Sequence, residues 1–570
     1  MKNMNNMANL IYGFFWGGIV VFLSACGGGG STGNPAEVSD VEVVMVMPSI
    51  SSTEVDRVPS IGVQFSGDIF FPSVDSDSFQ LLSRGEPVAG AISFHDTDAI
   101  EFSVDDDLSL LSIYMARLTT AITDVSGLSL ASIFEWSFVT RDGIWREPES
   151  VEQGSVDDPV LIVDANDTVW AFYRKNNFFT GENEIFARRL LDDNTWSIEQ
   201  LVSNSSDDED VAGKPQITVL SNGDLLVLWE ENGPGGIPTQ LSYNRYSQSS
   251  SSWGDSERIN ASAFAHMDPR LIADDSGNVM AVFEIAGMGS TNISTLIYDT
   301  DNDQWSDGAT IDELEEEAGH PRVSINNQGD AMVIWLQGGH VYSRLYRFFT
   351  GAWGAVELVD NIDAGTLQLG LALSVDSRGI FTAVWSQEDD ALGFPFIWSN
   401  RYTSGKGWAE ADVITGSVQG FNPQLVIDRD DNIMLVWQQD PVLGENNILT
   451  RRFDALDGSW SAIEFLEDGE QPASQPQLTI DESGNAMAIW QQNRSGTFFD
   501  NNSIIYIDPP STWVRRFNKI DESWLAPQVI STMGGAVDRP AIANSSNGEI
   551  VALWMQVVEG QAVIQSRRFD

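Results

Sequence analysis

The chain has 570 residues, of which 42% are hydrophobic and 20% charged, so it holds enough apolar material for several folded cores and is not a disordered polymer. Acidic residues outnumber basic ones by 83 to 30, which gives a formal charge of −53 and argues against nucleic acid as a partner. A single cysteine excludes a disulfide framework and a cysteine-based zinc site.

The N-terminus carries the pattern of an export signal. Leu10 to Leu23 form an apolar run of fourteen residues, shorter than the roughly 20 that span a bilayer. The run ends in Leu23-Ser24-Ala25-Cys26 before a Gly/Ser-rich stretch, and it resembles the lipobox of bacterial lipoproteins. The resemblance implies that Cys26 is lipidated and that the chain is an outer-membrane lipoprotein facing the periplasm or the cell surface. We therefore expect a signal peptide at 1–26 and a tether at 27–40.

Residues 41–141 show short alternating strands separated by turn residues, a pattern that predicts a β-sandwich. The strand Ile61-Gly62-Val63-Gln64-Phe65 is one example, and the segment closes with Trp136-Ser137-Phe138-Val139-Thr140. Together with Val58-Pro59 before the first of these strands and Tyr114 between the two, these positions resemble the bacterial Ig-like domain of the SbsA type. The resemblance implies a spacer, and nothing in the segment suggests catalysis.

Residues 142–570 contain eight copies of a repeat of about 52 residues. One tryptophan opens each copy, and a Val, Ile or Leu follows it six residues later. These tryptophans are Trp145, Trp196, Trp253, Trp305, Trp353, Trp408, Trp460 and Trp524. A proline, replaced by Leu371 in the fifth copy, comes fourteen residues before a second aromatic. The second aromatics are Tyr173, Trp229, Phe283, Trp335, Trp385, Trp437, Trp490 and Trp554. We expect both columns to be buried as core.

Each copy has the material of a four-stranded sheet, and repetition at this period predicts an all-β fold in which an Ig-like sandwich precedes an eight-bladed β-propeller. A Gly or Asp eight residues after each proline predicts a tight hairpin turn between strands. The last copy stops at Arg568-Phe569-Asp570, where earlier copies continue into a tryptophan strand. We therefore expect residues 143–152 to supply the outer strand of the sheet formed by 538–570, which closes the ring.

Two further columns are predicted to be structural. An arginine precedes an aromatic in the third strand of most copies, as in Arg401-Tyr402, and its recurrence favours a salt bridge or a cation–π contact over catalysis. Glutamines two residues after the second aromatic predict a set of structural amides. They are Gln337, Gln387, Gln439, Gln492 and Gln556.

No catalytic, cofactor or metal residues are assigned from the sequence. The segment Ser374-Val375-Asp376-Ser377-Arg378-Gly379 comes nearest to the Asp box of sialidases, but its glycine is one residue late. The four histidines show no ligand spacing, so zinc is not expected. Acidic turns such as Asp428-Arg429-Asp430-Asp431-Asn432 leave structural calcium open, although they lack the spaced pattern of a twelve-residue calcium loop.

Loops between the second and third strands carry aromatics outside the repeat columns. In a propeller such loops share one face, so these aromatics are candidates for a binding rim, with packing onto their own blade as the alternative. They are Phe178, Phe179, Phe394, Phe396, Trp398, Phe498 and Phe499.

These patterns predict a monomeric, lipid-anchored envelope protein whose propeller is a non-enzymatic scaffold for a glycan or for an envelope or extracellular protein. The alternatives are a polysaccharide-active enzyme of sialidase-like shape and an assembly factor for outer-membrane proteins. Converging arginines or paired carboxylates in the central funnel would favour the enzyme.

Overall fold

The computed structural model describes residues 38–570 except for 177–182, 205–210, 234–236, 260–264, 288–289, 362–366, 390–393, 417–418, 440–445, 468–470, 494–496, 501–502, 507–508 and 533–534. Within these residues the regular structure is β-strand, apart from one 3-10 turn at Phe71–Ser73. This part of the chain contains no helix with the length and apolar character needed to cross a bilayer. The all-β class predicted from the repeats is confirmed.

The N-terminal region is built from two sheets. Its strands are β1 (Val43–Met47), β2 (Ser52–Val55), β3 (Ile61–Phe65), β4 (Phe79–Ser83), β5 (Glu86–Pro87), β6 (Gly90–His95), β7 (Ala99–Val104), β8 (Ile113–Leu118) and β9 (Phe134–Thr140). One sheet has the order β1-β3-β7-β6 and the other β2-β9-β8-β4-β5. Burial alternates along β3, β8 and β9, so each strand turns one side to a shared core that includes Phe65, Phe79 and Trp136. The predicted sandwich is present.

Eight antiparallel sheets follow, each with four strand positions, and in most of them the fourth strand is split into two short pieces. The strand β10 (Glu149–Gln153) comes first in the chain and belongs to the last sheet. Sheet 1 contains β11 (Val156–Val163), β12 (Val169–Asn176), β13 (Asn183–Arg189) and β14 (Gln200–Leu201). Sheet 2 contains β15 (Val211–Ala212), β16 (Gln216–Val219), β17 (Leu225–Gly233), β18 (Ile237–Ser247), β19 (Ser252–Trp253) and β20 (Glu257–Ile259). Sheet 3 contains β21 (Ala265–Ala273), β22 (Val279–Ala286), β23 (Thr291–Asp299), β24 (Gln304–Trp305) and β25 (Ala309–Thr310).

The remaining sheets repeat the same order. Sheet 4 contains β26 (Ala318–Ile325), β27 (Asp330–Gln337), β28 (His340–Arg347) and β29 (Ala352–Leu358). Sheet 5 contains β30 (Leu367–Val375), β31 (Phe381–Asp389), β32 (Phe394–Thr403), β33 (Gly407–Trp408) and β34 (Asp412–Val413). Sheet 6 contains β35 (Phe421–Ile427), β36 (Ile433–Gln439), β37 (Asn447–Asp454), β38 (Ser459–Trp460) and β39 (Glu464–Phe465). In chain order, the next strands are β40 (Ala473–Ile480), β41 (Ala486–Gln492), β42 (Thr497–Asp500), β43 (Ser503–Tyr506), β44 (Ser511–Asn518), β45 (Ser523–Trp524) and β46 (Gln528–Val529). Sheet 7 contains all of them except β42 and β43, which form a separate two-stranded hairpin. Sheet 8 contains β47 (Val537–Asn544), β48 (Ile550–Val558) and β49 (Gln561–Phe569).

The start and the end of this array pair with each other. β10 forms an antiparallel ladder with β49, in which Glu149 faces Ser566 and Gln153 faces Val563. An isolated bridge between Trp145 and Phe569 extends the contact. The pairing predicted for residues 143–152 is therefore present, and sheet 8 gains its fourth strand from the start of the array.

Neighbouring sheets share their apolar cores in a closed order. Each consecutive pair, from sheets 1 and 2 to sheets 7 and 8, contributes buried residues to a common cluster. A further cluster joins sheet 8 back to sheet 1 through Leu553, Ile564, Ala171 and Tyr173. All eight second aromatics are 0% exposed within these clusters. Each cluster needs both of its sheets, so the eight sheets depend on one another for burial.

The first tryptophan column departs from the prediction, because its members are only half-buried. Trp460, for example, packs edge-on against Phe453 of its own sheet, with ring centroids 5.4 Å apart. The Val, Ile or Leu six residues later is fully buried in each copy, as at Val202 and Ile311. A tryptophan on the outermost strand covers the side of its sheet, since no further strand lies beyond it.

The Ig-like region rests on the hairpin turns between the first and second strands of sheets 7 and 8. Leu110 is 0% exposed and belongs to the same cluster as Met487 and Ile550. Its amide donates to the carbonyl of Asn547 at 3.0 Å, and Ser112 Oγ lies 2.6 Å from Ser483 Oγ. These turns lie at the ends of the first strands, so the beginnings of those strands lie at the opposite end of the array.

Candidate functional site

Near its beginning, the first strand of each sheet departs from regular pairing with the second strand. In seven sheets the register shifts by a bulge at the residue before the repeated proline or its leucine equivalent, and in sheet 2 the strand is interrupted there between β15 and β16. We call the eight residues before the proline or leucine the bulge positions. They are Asp158, Lys214, Asp268, His320, Gly370, Asn422, Gln475 and Arg539.

The bulge positions are strained but not uniform in chemistry. All except Lys214 have positive φ, including 56° at His320, 56° at Gln475 and 51° at Arg539. Such backbone costs an ordinary side chain about 1 to 2 kcal/mol, and Gly370 shows the residue that avoids this cost. The bulge or interruption recurs in every sheet, but the side chain at this position differs from sheet to sheet.

A cavity of about 720 Å³ lies inside the cycle of sheets. First strands of sheets 1, 2, 6, 7 and 8 line it, and sheets 2 and 6 are not neighbours, so the space, which is open to solvent, is bordered by five sheets and not wedged between two. Five bulge positions reach it, and amide side chains stand beside them. The polar lining is Asp158, Lys214, Gln216, Asn422, Gln424, Gln475, Gln477 and Arg539. We call this space the axial cavity.

One side of the axial cavity holds a network of charges. Arg174 and Arg539 both bind Asp158, each to a different carboxylate oxygen. They also bind the neighbouring Asp157, and the Arg174 Nη2 to Asp157 Oδ2 distance is 3.2 Å. Lys214 is exposed to the cavity and has no carboxylate within 4 Å among the described residues. Burial lowers the pKa of Lys214, Asp158 raises it, and the like charges of Arg270, Arg539 and Arg174 lower it further.

A second charged cluster stands on sheets 3 and 4. Asp268 and His320 are bulge positions, and the Oε1 atom of Glu284 accepts a hydrogen bond from the His320 amide at 2.7 Å. Arg270 Nη2 lies 2.7 Å from Asp268 Oδ1, and Arg322 Nη1 lies 3.9 Å from Asp268 Oδ2. Burial, and then the nearby Arg270, lower the pKa of Arg322 to about 10. The cluster therefore combines two carboxylates, an imidazole and two guanidinium groups.

This cluster also contains the donor set of a metal site. One ligand atom from each of Asp268, Glu284 and His320 lies within 4.8 Å of the others, and imidazole with carboxylates suits a divalent transition metal. The ion pair between Arg270 and Asp268 competes with a metal for one of the carboxylates. The cluster could not be predicted from the sequence, because its members come from two sheets and show no local spacing.

The aromatics predicted for a rim are placed differently from one another. Phe396 is 3% exposed and Trp398 is half-buried, with its Nε1 donating to the Gln387 carbonyl at 3.3 Å, so both pack onto their sheet. Phe394 is 44% exposed. Phe498 and Phe499 lie on the hairpin β42–β43, of which only the backbone is described, and Phe178 and Phe179 lie outside the described residues, as does Cys26. Among the described side chains the rim is thus reduced to Phe394.

The repeated arginines are structural, as predicted. Arg401 lies 3.2 Å from Asp376 and its guanidinium stands 4.6 Å from the ring centroid of Phe453 on the next sheet. Arg516 repeats the arrangement with Asp481, at 3.1 Å, and Phe569. Each arginine therefore joins a hairpin turn of its own sheet to an aromatic of the following one.

The repeated glutamines also act largely as predicted. In four sheets the indole Nε1 of the second aromatic donates to the glutamine Oε1, at distances from 2.8 to 3.1 Å. Trp437 is the exception, because neither its Nε1 nor Gln439 Oε1 has a hydrogen-bond partner in the part of the chain that the structure describes.

The turn carboxylates considered for calcium are engaged with the protein itself. Asp428 Oδ1 accepts from the amides of Asp430 and Asn432 at 2.9 and 2.8 Å, and Lys519 Nζ lies 3.4 Å from Asp428 Oδ2. Such bonds are those of an ordinary Asx-type turn. Structural calcium therefore remains an expectation from composition alone.

Comparisons with known proteins support the fold of the N-terminal region. None of the curated proteins matches the chain. Among solved structures, a protein of unknown function from Dyadobacter fermentans is similar at 11% identity and TM-score 0.39, over 75% of this chain and 99% of that one. A PL25 ulvan lyase bound to -[GlcA(1-4)Rha3S]- is similar at 10% identity and TM-score 0.41, over 66% and 94%. An α-L-arabinanase from Penicillium chrysogenum is similar at 13% identity and TM-score 0.36, over 55% and 100%. Residues 37–140 match the family model of a bacterial Ig-like domain, which confirms that prediction.

Proposed function

We propose that the chain is a lipid-anchored envelope protein whose residues 142–570 form an eight-bladed β-propeller, and that this propeller binds a glycan in the axial cavity without cleaving it. The closed order of shared cores among the eight sheets supports the propeller. The lipid anchor rests on the lipobox at Cys26.

The bulge positions carry the functional proposal. Positions that maintain the fold, such as the second aromatics, remain aromatic in every copy. The bulge positions instead hold Asp, Lys, His, Gly, Asn, Gln and Arg, and several of these residues bear a backbone cost that glycine would remove. Strained, non-equivalent side chains directed at one cavity are typical of a ligand site and not of a scaffold alone.

The dimensions and the lining of the cavity favour a glycan over a protein partner. A volume of about 720 Å³ lies within the range of small-ligand pockets and is too small for a folded partner. Asn422, Gln424 and Gln477 each carry both a donor and an acceptor, as hydroxyl-rich ligands require, whereas the Gln475 amide is bonded to Asp538 and to the Arg539 amide.

The position of the Ig-like region agrees with this role. It rests on the turns at one end of sheets 7 and 8, whereas the bulge positions lie at the other end of the same first strands. A spacer attached at the turn end leaves the cavity entrance at the bulge end uncovered by it.

The test is a glycan array probed with the full chain extracted in a mild detergent, scored both for retained protein and for released sugar. Saturable retention without release supports the proposal, and absence of retention on every glycan contradicts it. The matched variant is Gln477→Ala, which removes an exposed amide from the cavity and should lower retention about tenfold, as expected for one lost hydrogen bond to a ligand.

The second cluster favours one alternative, a glycan-cleaving enzyme. Asp268, Glu284 and His320 supply groups for proton transfer, and Arg270 and Arg322 supply positive charge beside them. Sugar released by the parent chain and not by His320→Ala would replace the binding proposal with this one.

A further inference from the structure

The charged groups around the axial cavity and the adjoining cluster balance one another, although the whole protein is strongly acidic. Of only 30 basic residues in a chain with 83 acidic ones, five converge on the cavity and the adjoining cluster. They are Arg174, Lys214, Arg270, Arg322 and Arg539. Five acids face them, namely Asp157, Asp158, Asp268, Glu284 and Asp538, so the formal balance of these ten groups is zero.

Lys214 is the cation of this group that has no paired carboxylate among the described residues. The nearest acid is Asp158, and each of its carboxylate oxygens is already bound by an arginine, one by Arg174 and the other by Arg539. Arg270 is likewise paired, with Asp268. Lys214 therefore has three neighbouring cations and no carboxylate within 4 Å among the described residues.

The ammonium group is nevertheless available to a ligand. Lys214 is exposed although its neighbours Gly213 and Pro215 are buried, and it lines the cavity together with Gln216 and Arg539. An ammonium with three donors, set inside a cavity and surrounded by like charge, binds an oxyanion more strongly than a lysine on an open surface does.

We propose that Lys214 forms an anion subsite in the axial cavity, with Arg539 beside it, and that the ligand is an acidic glycan bearing a carboxylate or a sulfate group. The subsite names the substrate class of the glycan-binding role proposed above and rests on it. Neutral hydroxyls of the same glycan bind the amides of Asn422 and Gln477 on the other side of the cavity.

The experiment compares oligosaccharides of equal length in three arms: neutral, uronate-containing and sulfated. The full chain in detergent is expected to retain at least one acidic arm about tenfold more tightly than the neutral arm. Lys214→Ala should weaken the acidic arm about tenfold to a hundredfold, as expected for a lost charge-assisted hydrogen bond, and weaken the neutral arm by much less. Lys214→Arg keeps the charge and should restore most of the binding.

Lys406→Ala is the matched control, because it removes one positive charge from an exposed turn of sheet 5 outside the cavity lining. Equal loss in Lys406→Ala and Lys214→Ala would show a nonspecific charge effect and overturn the subsite. Equal retention of neutral and acidic arms, or no effect of Lys214→Ala, would also overturn it while glycan binding stands. Retention of no arm would refute glycan binding itself. Comparison of the uronate and sulfated arms shows whether the bound anion is a carboxylate or a sulfate.

Discussion

Phe569 offers the sharpest test of ring closure, because two other sheets contain the same environment. Its side chain is 5% exposed, its ring centroid lies 5.2 Å from that of Trp145, and Arg516 stands 5.5 Å above it. Phe517 is 4% exposed and has the same kind of contacts with Trp524 and Arg452. Only Phe569 draws its tryptophan from the far end of the array.

Phe569→Ala is expected to cost about 3 to 5 kcal/mol of the free energy of unfolding, the usual range for a buried phenylalanine. The contacts with the indole and the guanidinium each contribute about 1 kcal/mol to that total. Phe517→Ala should cost the same within about 1 kcal/mol. Urea titration followed by tryptophan fluorescence measures both, with calorimetry to establish whether the array unfolds in one transition.

An open stack of sheets gives a different result. Phe569 would then lie at a free end, where substitutions away from the core usually change stability by no more than about 0.5 kcal/mol. If Phe569→Ala costs less than half as much as Phe517→Ala, the closure of sheet 8 by β10 is wrong.

Three further substitutions test separate parts of the fold. Leu110→Ala should cost about 2 to 5 kcal/mol and split the Ig-like region from the main calorimetric transition, and an unchanged single transition would contradict the docked interface. Gln337→Ala should be about 1 to 3 kcal/mol more costly than Gln439→Ala, because Gln337, unlike Gln439, accepts a hydrogen bond from a buried indole, that of Trp335. Equal costs in urea titrations would refute this. Burial raises the pKa of Asp312 above its ordinary value near 4. At pH 7 the ionised carboxylate therefore destabilises the folded state, and this destabilisation is lost as the pH falls through the raised pKa. Asp312→Asn should therefore show its largest stability gain over the parent at pH 7 and a smaller gain towards pH 4, and a gain independent of pH would rule this cause out.

The sheets were predictable because their signals repeat at fixed spacing. The second aromatics, the hairpin turns and the pairing of the first and last strands all follow from counting along the chain, and eight copies reinforce each signal. The half-buried state of Trp460 and its equivalents was not predicted, since spacing shows that a residue recurs but not how many neighbours cover it.

The candidate site could not be predicted, because its residues do not repeat from copy to copy. Asp158, Lys214 and Arg539 occupy equivalent positions but differ in type, so they form no column that a search for similarity would find. Their proximity depends on the curvature that brings sheet 8 against sheet 1. The proline after each bulge position was a usable signal, because the residue before it varies while the proline persists.

The seating of Leu110 on the turns has a mechanical consequence. A lipid at Cys26 would pull on the chain from its N-terminus, and the path of force runs through the Ig-like region into β10, the strand that completes sheet 8. Without the docked surface, tension would be applied directly to the ladder between β10 and β49. Leu110, Ser112 and Arg57 hold the Ig-like region against sheets 7 and 8. Part of the load is therefore carried by this docked surface and not by the ladder between β10 and β49.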